Sequence, residues 1–165
     1  MGLSYFYVNR DKVQFFDSGL ACSNNRFNRV GTEPGSRALA ILLSEHGTWQ
    51  GDRIAVVGDT SEEFEELVIR GIDIVVEAEL MLTNFDGLGW VEERLDASIS
   101  MFQRMCCYAL LLRRADVAAM LDRKYGIGKW QGRYENHLQD NTDLWTQRVI
   151  DAKNRGLDLM RRRGG

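Results

Sequence analysis

Residues 49–79, WQGDRIAVVGDTSEEFEELVIRGIDIVVEAE, constrain the fold more than any other part of the chain. They hold two apolar runs rich in Ile and Val, 54–57 and 72–76, with an acidic segment between them. Short β-branched runs bounded by Gly and Asp fit buried strands better than helices. This predicts strands over 52–58 and 72–77. Between them, Thr60 and Glu63 have capping-box spacing and predict a helix over 61–70, with Phe64, Leu67 and Val68 facing inward. A strand, a helix and a strand in this order suit a parallel α/β crossover around 52–77. The connection is short, so an antiparallel arrangement stays open.

Upstream, residues 4–8 and 13–16 are aromatic and β-branched, and Asn9-Arg10-Asp11-Lys12 between them suits a turn. The pattern predicts a β-hairpin, with Tyr5, Tyr7, Phe15 and Phe16 as an aromatic sheet face packed on the core. Residues 19–35 are polar and irregular. Arg26 and Arg29 there suit either a solvated loop or an anion-binding loop. Ser36 has the chemistry of a cap for a helix over 37–46, with Leu39, Leu42 and Leu43 on its apolar face and His46 in its last turn.

Beyond 84–89 the pattern becomes helical. A long helix is expected over 90–114, with Val91, Leu95, Ile99, Phe102, Met105 and Leu110 on its broad apolar side. Asp116 suits the cap of a helix over 117–125, and a short helix is expected over 130–137. A last helix, opened by Asn141 or Thr142, is expected to reach 162 and to end in Arg161-Arg162-Arg163. The fold class that follows is α+β. A small N-terminal sheet, made of the hairpin and two further strands, is covered by C-terminal amphipathic helices. With 165 residues the chain suits one domain, sheet-rich over 1–80 and helical over 90–163.

Two segments carry a resemblance: Tyr5-Phe6-Tyr7-Val8-Asn9, and Trp49-x-Gly51-Asp52-Arg53-Ile54-x-x-Val57-Gly58-Asp59. Over roughly its first 80 residues the chain resembles a group of small uncharacterised proteins found in bacteria and some eukaryotes. The resemblance implies a sheet-containing N-terminal unit. It implies no activity and no catalytic residues.

Charge distribution narrows the function. Residues 52–96 carry 13 acidic and 3 basic side chains, whereas 97–165 carry 13 basic and 7 acidic ones. Such asymmetry suits either a charged partner or attraction between oppositely charged parts of the fold. Asp52, Asp59, Asp73, Glu77 and Glu79 surround the predicted strands and are of a type that holds Mg²⁺, but no lysine or histidine pair completes a site. Gly126-Ile127-Gly128-Lys129 lacks the P-loop frame, and no Gly-x-Ser-x-Gly elbow occurs. Cys22, Cys106 and Cys107 form no CxxC pair, so neither a zinc site nor another cofactor is expected.

The leading expectation is a small protein-binding module, of inhibitor or immunity type. It would meet a protein with a basic surface through Asp59, Glu62, Glu63, Glu65 and Glu66. The alternative is nucleic-acid binding through basic helices, with Arg123, Lys124, Lys129 and Arg133 as contacts and Trp130 and Tyr134 as stacking surfaces. A metal-dependent enzyme ranks third. No apolar stretch reaches the roughly 18 residues of a membrane span, no secretory leader or myristoylation signal opens the chain, and free thiols suit a cytoplasmic location. Oligomeric state is left open.

Overall fold

The computed structural model describes residues 3–20, 30–140 and 144–161, with 137–140 and 144 described by backbone only. The chain forms two compact units. One combines Met1–Phe85 with Leu157–Gly165, and the other is Asp86–Gly156.

The first unit is built on the predicted hairpin. Strand β1 (Tyr5–Asn9) pairs antiparallel with β2 (Gln14–Asp17), in a register that sets Tyr7 opposite Phe16 and Val8 opposite Phe15. Strand β3 (Ile54–Gly58) pairs antiparallel with β1, and the two-residue β4 (Ile72–Asp73) pairs parallel with β2. The sheet order is β3-β1-β2-β4. Strands β3 and β4 therefore run in the same direction at opposite edges. The crossover around 52–77 is parallel, but it spans the whole hairpin instead of joining neighbouring strands. Its connection is not the expected capped helix over 61–70. It is a turn followed by one π-helical segment, Glu65–Ile69, with no side-chain cap. The Ser61 hydroxyl accepts the Glu63 N–H at 3.3 Å, so the predicted Thr60 and Glu63 capping box does not form.

Strand alternation gives the sheet two apolar faces. On one, Val8, Phe15 and Val57 pack with Leu67 and Val68, while Phe6, Ala55 and Phe64 close the margin. On the other, Tyr7, Phe16 and Trp49 form an aromatic chain with ring centroids 5.4 and 5.7 Å apart. Tyr7, Phe15 and Phe16 thus serve the core, but on two faces instead of the single one expected, with Phe15 opposite in face to Tyr7 and Phe16. Tyr5 is the exception: it is half-buried and lies over Gly58.

Helix α1 (Gly35–Leu43) buries Ala38, Ile41 and Leu42, while Leu43 is exposed. Its apolar face is therefore rotated from the expected Leu39, Leu42 and Leu43. Pro34 holds the cap position, and Ser36 lies inside the first turn, its N–H bonded to the Thr32 carbonyl. His46 lies beyond the helix end.

The largest departure is at 72–86. Only Ile72 and Asp73 are extended, and helix α2 (Val75–Asp86) follows immediately. The Asp73 carboxylate accepts the Val75 N–H at 2.9 Å and so satisfies a first-turn donor, which starts a helix where the apolar run suggested more strand. Every residue from Val75 to Thr83 is buried. A helix buried all round has no apolar period to read.

In the second unit the expected helix over 90–114 is broken into a turn α3 (Gly89–Glu92), a 3-10 turn (Leu95–Ala97) and helix α4 (Ile99–Leu111). Ser98 causes the break: it is extended, and its hydroxyl caps α4 by accepting the Met101 N–H at 3.2 Å. Helix α5 (Ala115–Tyr125) ends at Gly126 as expected but begins two residues early: Arg114 holds the cap position with no side-chain cap bond, and Asp116 lies inside the first turn instead of capping it. Helix α6 (Trp130–Asp140) runs three residues past its predicted end. Helix α7 (Leu144–Arg155) stops well short of 162.

The chain leaves α7 at Gly156, with φ at 106°, a conformation that favours glycine. Residues after it rejoin the first unit: Met160 bridges to Gly47, and the buried Leu159 accepts the Thr48 N–H through its carbonyl. Arg161 is accordingly not in a last helical turn. Its guanidinium donates to the Gly47 and Gln50 carbonyls at 3.0 and 3.1 Å. Arg162 and Arg163, the Arg26 and Arg29 loop with Cys22, and the Asn141 and Thr142 caps lie outside the described residues.

Candidate functional site

The two segments that carry the resemblance are spent on each other. Asn9 is fully buried at the end of β1, and its carbonyl oxygen accepts the N–H groups of Asp11 and Lys12 at 2.9 Å each. That Asx turn shapes the hairpin loop. The Asn9 amide donates to Asp52 at 2.7 Å, and Lys12 completes the bond to the same carboxylate oxygen. Asp11 in turn accepts both the backbone N–H and the guanidinium of Arg53, at 2.7 and 2.8 Å. The fully buried Trp49 donates its indole N–H to Gln14 at 2.9 Å. Gly51 adopts φ of 82° to bring Asp52 round to Asn9. Lys12 and Asn9 hold the Asp52 carboxyl below the usual carboxylate range, and the Arg53 hydrogen bonds do the same for Asp11. This is a clasp that fixes the hairpin to β3, and its polar groups are already satisfied by one another.

The other strand-associated carboxylates do not gather around it. Asp73 starts α2, Glu77 and Glu79 are buried on α2, and Asp59 is exposed beyond β3. Among the described residues no three His, Cys, Asp or Glu side chains come together as a metal site.

The acidic segment is mostly exposed. Glu63 pairs with Arg10 at 2.8 Å, and Glu65 pairs with Arg70 at 3.4 Å. Asp59, Glu62 and Glu66 are exposed and form no ion pair among the described residues. Two isoleucines in the same segment are exposed as well, Ile69 at 66% and Ile72 at 42%. Sequence reasoning missed both, because each belongs to an apolar run that reads as core.

The basic candidates are largely consumed inside the second unit. Arg123 pairs with Glu92 at 3.5 Å, and Lys124 with Asp96 at 2.9 Å. Lys124 holds the Asp96 carboxyl below its ordinary range. The Arg133 guanidinium lies over the rings of Tyr125 and Phe102, at 4.8 and 5.1 Å. Lys129 is exposed and forms no ion pair among the described residues. Trp130 is 2% exposed with its indole N–H on Asp122, and Tyr134 is buried, so neither presents a stacking face. Acidic residues 92–96 and basic residues 123–124 thus attract one another within this unit, which is the intramolecular role their charges allowed.

Cys107 sits in a buried polar group with Tyr134 at 3.3 Å and Thr146 at 3.8 Å. Burial pushes the Tyr134 phenol up to about 12 and raises the Cys106 thiol further.

Among the described residues no helix is long and apolar enough to cross a membrane. No protein-family model matches the chain, and no curated protein or solved structure matches it.

Proposed function

We propose that this protein is a protein-binding module of inhibitor or immunity type, acting in the cytoplasm. It engages a partner with a basic surface through Asp59, Glu62, Glu63, Glu65 and Glu66. The observation that carries this reading is the exposed connection between β3 and β4. Three of its carboxylates have no internal cation among the described residues, and Ile69 within it and Ile72 at the start of β4 are exposed. Carboxylates left unpaired give long-range attraction and partner choice. Exposed apolar side chains in the same segment supply the area that charge alone does not. The basic residues of the second unit are less free to meet an acidic ligand, because Arg123 and Lys124 are paired and Arg133 lies over aromatic rings.

The test is a low-salt pulldown from native lysate with the wild-type chain and with a Glu62→Lys, Glu66→Lys double variant. These positions are exposed and make no internal ion pair, so the fold tolerates the change. The expected result is a stoichiometric protein partner that is lost on charge reversal and weakens with salt. Recovery of no such partner, or of one indifferent to the reversal, overturns the reading.

A further inference from the structure

Strand β3 stands at one edge of the sheet. The Arg10 N–H donates to the Arg53 carbonyl, and the Asp59 N–H donates to the Ser4 carbonyl. In an antiparallel ladder these bonds recur at every second residue. Residues 53, 55, 57 and 59 therefore turn their peptide groups toward β1. Ile54, Val56 and Gly58 turn theirs outward, at the edge of the sheet. Of these outward groups, the Gly58 carbonyl accepts the Ser61 N–H at 3.0 Å and keeps a second lone pair. Val56, in the middle, is 47% exposed.

Sheet edges are ordinarily blunted by proline, by a bulge or by a charge within the strand. Strand β3 reads Ile-Ala-Val-Val-Gly and has none of these. Its charges stand just outside, at opposite ends and with opposite signs: Arg53 before it and Asp59 after it. That arrangement is self-complementary. We propose that β3 pairs antiparallel with β3 of a second copy of this chain, about a twofold axis through Val56, to make one continuous sheet.

The register follows from the outward peptide groups. Val56 faces Val56, Ile54 faces Gly58, and Arg53 of each copy faces Asp59 of the other. Arg53 and Asp59 then form a non-hydrogen-bonded pair, the kind in which Cα atoms approach to about 4.5 Å and side chains meet. The Arg53 side chain is 76% exposed and uses part of its guanidinium on Asp11 at 2.8 Å. A guanidinium has five donors, so a second carboxylate fits. Asp59 is exposed and forms no ion pair among the described residues. A pairing of any other register sets Arg53 or Asp59 against an apolar residue. Five residues a side is a small contact, so the association is weak and concentration-dependent.

Sedimentation velocity on the full chain, from micromolar to about millimolar concentration, tests this. The expected result is a reversible dimer that grows with concentration. Val56→Pro removes the central outward N–H and leaves the β1 pairing intact, since edge strands tolerate proline. It is expected to weaken the dimer at least about tenfold, with melting unchanged. Asp59→Lys is expected to weaken it too, while Asp59→Glu, which keeps the charge, is expected to preserve it. The Asp59 variants decide the matter if Val56→Pro destabilises the fold. A chain that stays monomeric throughout, or a dimer indifferent to Val56→Pro and to Asp59→Lys, overturns the proposal.

Discussion

At the scale of single residues, the clasp between Asn9, Asp52 and Lys12 ties the hairpin to the start of β3 through hydrogen bonds to one carboxylate. Hydrogen bonds to a charged group contribute about 1.5–3 kcal/mol. Asp52 is only partly exposed, so its bonds to Asn9 and Lys12 are not fully screened by water. Replacing Asp52 by Asn removes the charge that Lys12 meets and is expected to cost about 1 kcal/mol, read as a lower denaturant midpoint. The pH dependence has a definite sign. The folded-state carboxyls of Asp52 and Asp11 are held below their ordinary values. Their contribution is therefore complete above the unfolded carboxylate pKa of about 4. It is lost as pH falls through the lower folded values. Asp52→Asn is expected to flatten the acid limb of the stability profile between about pH 4 and pH 2, measured by urea melts in that range. An acid limb identical to wild type would show that Asp52 contributes nothing to it.

At the scale of elements, Ser98 decides where the second unit's main helix begins. The apolar pattern runs from Val91 through Leu110 without interruption, yet the chain turns at 95–97 and starts again at Ile99. The Ser98 hydroxyl on the Met101 N–H satisfies a donor that the helix itself leaves free. Ser98→Ala is expected to cost about 1 kcal/mol, and Ser98→Asp to recover most of it, since both Ser and Asp accept at this position. Thermal melts of the two variants give the comparison. Equal losses would mean that the hydroxyl caps nothing.

At the scale of the whole molecule, the chain's last described residues belong with its first. Leu159 is buried, and Arg161 donates to two carbonyls of the 47–50 turn. A chain ended after Gly156 loses that apolar side chain together with these bonds. It is expected to melt at least several degrees lower, in line with about 2 kcal/mol or more of lost burial and hydrogen bonding. Residues 1–86 expressed alone lack the same segment and are expected not to melt cooperatively. A soluble 1–86 fragment with a sharp transition would show that the returning segment is dispensable to the sheet. Phe102, 2% exposed and set edge-to-face on Tyr125 at 5.2 Å, marks the core of the other unit. Phe102→Asp is expected to unfold that unit, because an unpaired buried charge costs several kcal/mol.

The sequence by itself determined what nearest neighbours decide. The hairpin was legible in its aromatic and β-branched runs and its Asn-Arg-Asp-Lys turn. Strand β3 was legible in its β-branched run, and α5 in its period and closing glycine. The acidic stretch was legible from composition. What only tertiary structure decided lies at long separation or under complete burial. Helix α2 showed no period because all its residues from Val75 to Thr83 are inside, so its first residues looked like strand. Strands β3 and β4 follow one another in the chain but stand at opposite edges, with the hairpin strands β1 and β2 between them. The clasp joins Asn9 to Asp52 across 43 positions, and Arg161 reaches Gly47 across 114. No local pattern carries such pairings. The chain's chemistry makes each bond available, and the packed fold selects which partners come within reach.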